Sequence, residues 1–139
     1  MTVAVQERIL IVEDEEVICL VLKRRLESLG YEVHAETSGA RALSYAAEHQ
    51  PNLVILDLKL PDISGYEVCG ELRRIYDRSQ VAVLMFTGVD GPIDDIYGFA
   101  HGADAYLSKR ASPAELVNTI DQLLHDPDRP ATLAELSQR

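Results

Sequence analysis

The chain has 139 residues, the size of a single domain, and can bury about two-thirds of the surface that its unfolded form exposes. A hydrophobic content of 47% and a charged content of 26% are ordinary for a soluble globular protein. The formal net charge of −10 makes a surface that repels phosphate backbones and anionic membranes, which argues against direct nucleic-acid binding. There is no apolar run of membrane-span length and no basic-then-apolar signal layout at the start, so a cytoplasmic protein is expected.

In chain order, Arg8-Ile9-Leu10-Ile11-Val12 predicts a buried strand that runs into the acids Glu13-Asp14-Glu15-Glu16. Acids suit the first turn of a helix, but four adjacent carboxylates repel one another unless something positive sits among them. Ile18, Leu22, Leu26 and Leu29 then mark one face of a helix over Val17–Leu29, with Gly30 as its cap. Tyr31 to Ala35 alternates as an edge strand does. Ser38 can cap a second helix, whose small face of Ala42, Leu43, Ala46 and Ala47 allows close approach to a sheet before Pro51 ends it. Leu53-Val54-Ile55-Leu56 reads as a strand buried on both faces, and it delivers Asp57 at its carboxyl end. That carboxylate could be a metal ligand, a nucleophile, or a polar residue where the chain leaves the core.

Ser64-Gly65-Tyr66-Glu67 is a capping box, and it predicts a third helix with Val68, Leu72, Ile75 and Tyr76 inward. Val81 to Phe86 is the next buried strand and ends in Thr87-Gly88. Asp90-Gly91-Pro92 starts a fourth predicted helix with Ile93, Ile96, Tyr97 and Ala100 on one face, which Gly102 stops. Ala105 to Ser108 predicts a short strand closed by Lys109. Ser112-Pro113-Ala114-Glu115 is a second capping box, opening a last helix with Leu116, Ile120, Leu123 and Leu124 inward. Asp126-Pro127-Asp128-Arg129-Pro130 breaks it, and too few residues follow for a further domain. Cys19 and Cys69 lie far apart within apolar helical patterns and read as reduced core or half-buried thiols. His34, His49, His101 and His125 have no metal-ligand spacing and are given no role.

Strands alternating with helices imply a doubly wound α/β domain, because parallel strands need crossovers of this length. In the flavodoxin-like (βα)5 order 2-1-3-4-5, with helices on both faces of the sheet, strands one and three are neighbours at the switch point where ligands bind. Glu13, Asp14, Asp57, Thr87 and Lys109 would then share one rim. Carboxylates without His or Cys suit a hard cation such as Mg²⁺. A lysine and a hydroxyl nearby suit the oxygens of a phosphoryl group, and an ionised Asp can form an aspartyl phosphate. The chain has no phosphate-cradling glycine loop, so nucleotide binding of the P-loop kind is not expected.

These residues resemble the receiver domain of bacterial two-component response regulators, over essentially residues 7 to 125. The likeness rests on paired acids after the first strand, Asp57 followed by Leu60-Pro61-Asp62 and Gly65, then Thr87, and Lys109 ahead of a Ser-Pro helix start. The resemblance implies that Asp57 accepts a phosphoryl group from a sensor histidine kinase, a phosphotransfer protein or a small phosphodonor. It implies Mg²⁺ bound by Asp14, Asp57 and the backbone carbonyl of Lys59, with Glu13 acting through water. Lys109 would pair with Asp57 and then with the phosphoryl oxygens. Thr87 would hydrogen-bond the phosphoryl group, and Tyr106 would turn inward as Thr87 moves; for Tyr106, plain strand packing is an equal alternative.

Three positions depart from the family pattern. The acid pair is Glu-Asp rather than Asp-Asp, and Gly88 follows Thr87 where Ala is common. Arg110 follows Lys109 where most members carry a proline, commonly in a cis peptide. Cis without proline costs about 3–4 kcal/mol, so either a trans bond or a strained cis bond imposed by the family fold is expected, and the sequence leaves the two open. This last variant is similar to receivers joined to LuxR-type DNA-binding domains. Lys59 and Val89 sit where the family tunes phosphate lifetime.

The expected organisation is a receiver domain over 1–126 with 127–139 as a tail or the start of a linker. The expected function is a phosphorylation switch that changes affinity for a downstream partner or linked output domain, catalysing only its own phosphorylation and dephosphorylation. A phosphorylation-independent interaction module is the alternative. A phosphatase is less suited, because Lys59 stands where such chemistry wants a second acid. The kinase, signal, output, phosphate lifetime and homodimerisation are left open, as is whether the chain is full length.

Overall fold

The computed structural model describes residues 6–88 and 101–125. The strands are β1 (Arg8–Val12), β2 (Glu32–Glu36), β3 (Leu53–Leu56), β4 (Ala82–Thr87) and β5 (Ala105–Ser108). The helices are α1 (Glu16–Ser28), α2 (Gly39–Glu48), α3 (Gly65–Ile75) and α4 (Pro113–His125). The helix predicted from Asp90-Gly91-Pro92, with Ile93, Ile96, Tyr97 and Ala100, lies outside the described residues, as do Val89 and the tail beyond His125.

All five strands pair in parallel, in the order β2-β1-β3-β4-β5. This is the flavodoxin-like order expected from the sequence. Val12 lies opposite Leu56, Leu56 opposite Met85, and Thr87 opposite Ser108, so four strands finish nearly level at one edge. The residues that leave those strands are therefore delivered to a common rim.

Alternate residues of each central strand feed opposite faces, which is why these strands read as unbroken apolar runs. Ile9, Ile11, Ile55, Leu84 and Phe86 pack with Leu22 and Leu26 of α1 and with Leu116, Ile120 and Leu123 of α4. Leu10, Val12, Val54, Leu56, Val83 and Met85 pack with Ala42 and Ala46 of α2 and with Val68, Cys69 and Leu72 of α3. Each large side chain so enclosed contributes about 1.5–3 kcal/mol relative to exposure.

Helix ends follow local chemistry. Ser38, Ser64 and Ser112 accept the N–H groups of Arg41, Glu67 and Glu115 at 3.3, 3.2 and 3.2 Å. Gly30 after α1 has φ +99°, a conformation that favours glycine. Three predicted inward positions are instead exposed: Leu29, which is already the C-cap of α1, Ala47, and Ile75 at the end of α3. Cys19 and Cys69 fill the core in their place, both as free thiols. Burial pushes the Cys69 thiol up to about 12, so it stays protonated and donates to the carbonyl of His101 at 3.3 Å.

One polar cluster had no sequence signal. The fully enclosed carboxylate of Asp104 takes Arg73 at 2.8 Å, Arg78 at 2.7 Å and the Val83 N–H at 2.7 Å. Arg73 also donates to the carbonyls of Val81 and Gly102 at 2.6 and 2.8 Å. These bonds fasten α3 to the amino ends of β4 and β5, at the edge opposite the acidic rim.

Candidate functional site

Asp57 leaves β3 at its carboxyl end, and its N–H donates to the carbonyl of Val12 at 3.0 Å. This extends the β1–β3 ladder by one residue and draws Asp57 beside Glu13, which follows Val12. Glu13 and Asp57 are both buried, whereas Asp14 is exposed at the lip. Glu13, Asp14 and Asp57 each present an oxygen within 4.8 Å of the others, and among the described residues they form the one acid, histidine or cysteine cluster able to hold an ion.

The positive charge that so many carboxylates require arrives from β5. Lys109 Nζ lies 2.9 Å from Asp57 Oδ2 and also pairs with Glu13. Its backbone N–H donates to the carbonyl of Thr87 at 2.9 Å, which ties the ends of β4 and β5 together. Burial pushes the Glu13 carboxyl above its usual range, the bond from Lys109 opposes this, and the charge of Asp57 adds to it. Burial alone would lower the Lys109 ammonium, but its bonds to Glu13 and Asp57 outweigh that and raise it. Formally, three carboxylates against one ammonium leave two excess negative charges, the balance that a divalent cation answers. The donors are all oxygen, with no histidine or cysteine, which fits Mg²⁺.

The remaining predicted residues fall around this centre. Thr87 is buried at the last position of β4. The Lys59 side chain is exposed, and its N–H points to Asp57 Oδ1 at a long 3.4 Å. Tyr106, opposite Met85 on β5, is partly buried against the α2–α3 side of the core. No cis peptide occurs among the described residues, so the Lys109–Arg110 bond is trans. Of the four acids after β1, only Glu16 stands in the first turn of α1; Glu13 turns into the site, and its Oε2 accepts the N–H of Glu15 at 3.1 Å.

Two supporting residues carried more than the sequence indicated. A Cβ on Gly65 would come within 2.2 Å of the Asp57 carbonyl oxygen, so α3 can start against the acceptor loop only without a side chain there. Asp62 accepts the N–H groups of Gly39 and Ala40 at 2.9 and 2.8 Å. Its place after a proline was visible; partners 23 and 22 residues away were not.

The family model for the response regulator receiver domain matches residues 9–121. The chain belongs to that family. A probable transcriptional regulator ycf27 from Porphyridium aerugineum is 40% identical over 124 residues, which are 89% of this chain and 50% of that protein. The DNA-binding dual master transcriptional regulator RpaA of Synechocystis is 37% identical over 131 residues, 94% of this chain and 54% of RpaA. The chain thus spans about half the length of the curated relatives it matches. Among solved structures, the BeF3-activated N-terminal receiver domain of Klebsiella pneumoniae RstA superposes with a TM-score of 0.81 at 28% identity, over 86% of this chain and all of that one. The chain is a receiver module of the two-component type, and no helix among its described residues is long and apolar enough to cross a membrane.

Proposed function

We propose that Asp57 is the phosphoacceptor of this receiver and that Glu13, Asp14, Lys59, Thr87 and Lys109 serve it. The observation that carries this reading is the carboxylate of Asp57, buried at the end of β3 with the Lys109 ammonium 2.9 Å away and two further acids beside it. In the transfer, an Asp57 oxygen forms a bond to phosphorus as the P–N bond to a donor phosphohistidine breaks. The electron pair stays on the imidazole nitrogen, which takes a proton from solvent. Asp14, Asp57 and the Lys59 carbonyl would hold Mg²⁺, with Glu13 acting on it through water, and the ion would supply neutralisation of phosphoryl charge. Lys109 then exchanges its bond to the carboxylate for one to a phosphoryl oxygen. The Thr87 hydroxyl donates to another, and Tyr106 follows Thr87 inward. The added charge makes the change of state, since a phosphoryl group brings strong acceptor oxygens to a rim already rich in acid.

The donor is a sensor histidine kinase or phosphotransfer protein. Val17, Leu20 and Val21 stand exposed at 73, 49 and 55% on the half of α1 that begins beside Asp14, an apolar strip suited to a donor helix. The output is a covalently linked domain or a separate downstream protein, as relatives of about twice this length named as transcriptional regulators suggest. The receiver occupies 1–126, works in the cytoplasm and turns over only its own phosphoryl group.

Incubation with Mg²⁺ and acetyl phosphate, followed by mass spectrometry, tests the proposal. A phosphoprotein modified at Asp57 and lost in Asp57→Asn is the expected result. Continuous phosphate release without accumulation would indicate a phosphatase, and an unmodified chain would indicate an interaction module that has kept the fold.

A further inference from the structure

The segments that follow β1, β2 and β3 meet at the acidic rim, and backbone hydrogen bonds tie the first of them to β2 and the third to β1. The Glu13 N–H donates to the Glu36 carbonyl at 3.1 Å, which joins the β1–α1 loop to the end of β2. The Asp57 N–H donates to the Val12 carbonyl at 3.0 Å, which joins β3 to β1. The third join, between the first turn of α2 and the β3–α3 loop, is made by the side chain of Asp62. Asp62 Oδ1 accepts the Gly39 N–H at 2.9 Å and Oδ2 accepts the Ala40 N–H at 2.8 Å.

The approach that permits this is tight. A Cβ on Gly39 would lie 2.5 Å from Ile63 Cγ1 and 2.8 Å from Val68 Cγ2, so the two segments close on each other only because residue 39 has no side chain. Asp62 sits five residues after Asp57 and three after Lys59, within the same short segment that ends where the Gly65 N–H donates to the Leu58 carbonyl at 2.8 Å. The segment is thereby pinned at its start, its end and its middle. The start of a helix also favours a carboxylate at this point through its dipole. The bonds from Ala40 and Gly39 hold the Asp62 carboxyl below the usual carboxylate range, so the latch is charged throughout the neutral range.

We infer that Asp62 is a positioning residue for the cation site: it closes the ring of segments and holds the Asp57–Lys59 segment where its oxygens can share one ion. This rests on the Mg²⁺ reading above and extends it to a residue that touches neither ion nor phosphoryl group. If the latch and the ion favour the same loop arrangement, each strengthens the other by an equal factor, because the coupling of two sites is reciprocal.

The test uses the whole chain and MgCl2 alone, with Mg²⁺ affinity from calorimetry, amide exchange by NMR, and thermal melts of wild type, Asp62→Ala, Asp62→Asn and Tyr76→Phe. Tyr76→Phe is the control, since it removes a bond from the Tyr76 hydroxyl to the Ala46 carbonyl (2.7 Å) between the far ends of α2 and α3. Asp62→Ala is expected to weaken Mg²⁺ binding about fivefold. Asp62→Asn, which keeps one carbonyl acceptor, should fall between it and wild type, and Tyr76→Phe should bind like wild type whatever its melting temperature. Mg²⁺ should also slow exchange at the Gly39 and Ala40 amides of the wild type. Equal Mg²⁺ affinity in wild type and both Asp62 variants would overturn the inference and leave Asp62 a helix cap. A wild type that binds no Mg²⁺ would overturn the cation reading itself, and this inference with it.

Discussion

Lys109 and Asp57, 52 residues apart in sequence, meet at 2.9 Å across the carboxyl edge of the sheet. The ammonium therefore occupies space and charge that a cation at the neighbouring acids would share. Replacing Lys109 with Met should raise affinity for Mg²⁺ while leaving phosphorylation by acetyl phosphate severely slowed. Removing the partner of two buried carboxylates should also cost about 1–3 kcal/mol of stability without ion. Calorimetry with MgCl2, a denaturation curve and a labelling time course read these three effects. Weaker Mg²⁺ binding in the variant would contradict the charge argument.

Gly65→Ala places a methyl group 2.2 Å from the Asp57 carbonyl oxygen, and its nearest neighbours are backbone atoms that cannot swing aside. A destabilisation of about 1–3 kcal/mol is expected, with a fall in the rate of Asp57 modification larger than the unfolded fraction explains. Gly70→Ala, where nothing lies near the new atom, is the comparison and should leave both quantities close to wild type.

Asp104 sits away from the acidic rim, yet two arginines depend on it. Asp104→Ala should cost about 3–5 kcal/mol in urea denaturation, because it removes the enclosed counter-charge that Arg73 and Arg78 share. Mg²⁺ affinity of the folded fraction should be unchanged. A loss below 1 kcal/mol would mean that the arginines find other partners.

His125 closes the end of α4 onto the start of β1, with Nε2 2.5 Å from Glu7 and Nδ1 2.7 Å from Asp121. The bond to Glu7 first, and then that to Asp121, raise the imidazole above its ordinary 6.5. The folded state therefore binds this proton more tightly than the unfolded one. Its contribution is fully present below pH 6.5 and is lost as pH rises through the folded value. Because the pair is partly exposed, the effect should be about 0.2–1 kcal/mol. Urea denaturation at pH 6 and pH 8 should show a smaller difference for His125→Gln than for wild type; identical differences would exclude the link.

Leu72 and Ile75 belong to the same predicted apolar face of α3 but have opposite fates. Leu72 is 1% exposed and Ile75 46%. Leu72→Ala should cost about 2–5 kcal/mol and Ile75→Ala no more than about 0.5 kcal/mol. Denaturation midpoints of the two variants decide the matter.

The local chemistry of this chain was readable in one dimension. Apolar runs of four to six residues marked the buried strands, Ser64 and Ser112 marked helix starts, and Gly30 marked a helix end, because each of these signals acts over a few neighbouring residues. The resemblance to receivers then carried Asp57, Lys109, Thr87 and the acid pair as a group. What needed the tertiary structure was every relationship set by packing between distant segments. Whether Ile75 or Cys69 faces the sheet depends on how α3 is rolled, and periodicity leaves that open by one position. The carboxylates of Asp62 and Asp104 look alike in the sequence; one meets amides of α2 and the other two arginines below β4 and β5, since hydrogen-bond partners are chosen by proximity in space. Glu13, too, could have ended as a first-turn acid; its N–H instead continues the β1–β2 ladder to Glu36, and its carboxylate meets Lys109, which β5 brings from 96 residues away.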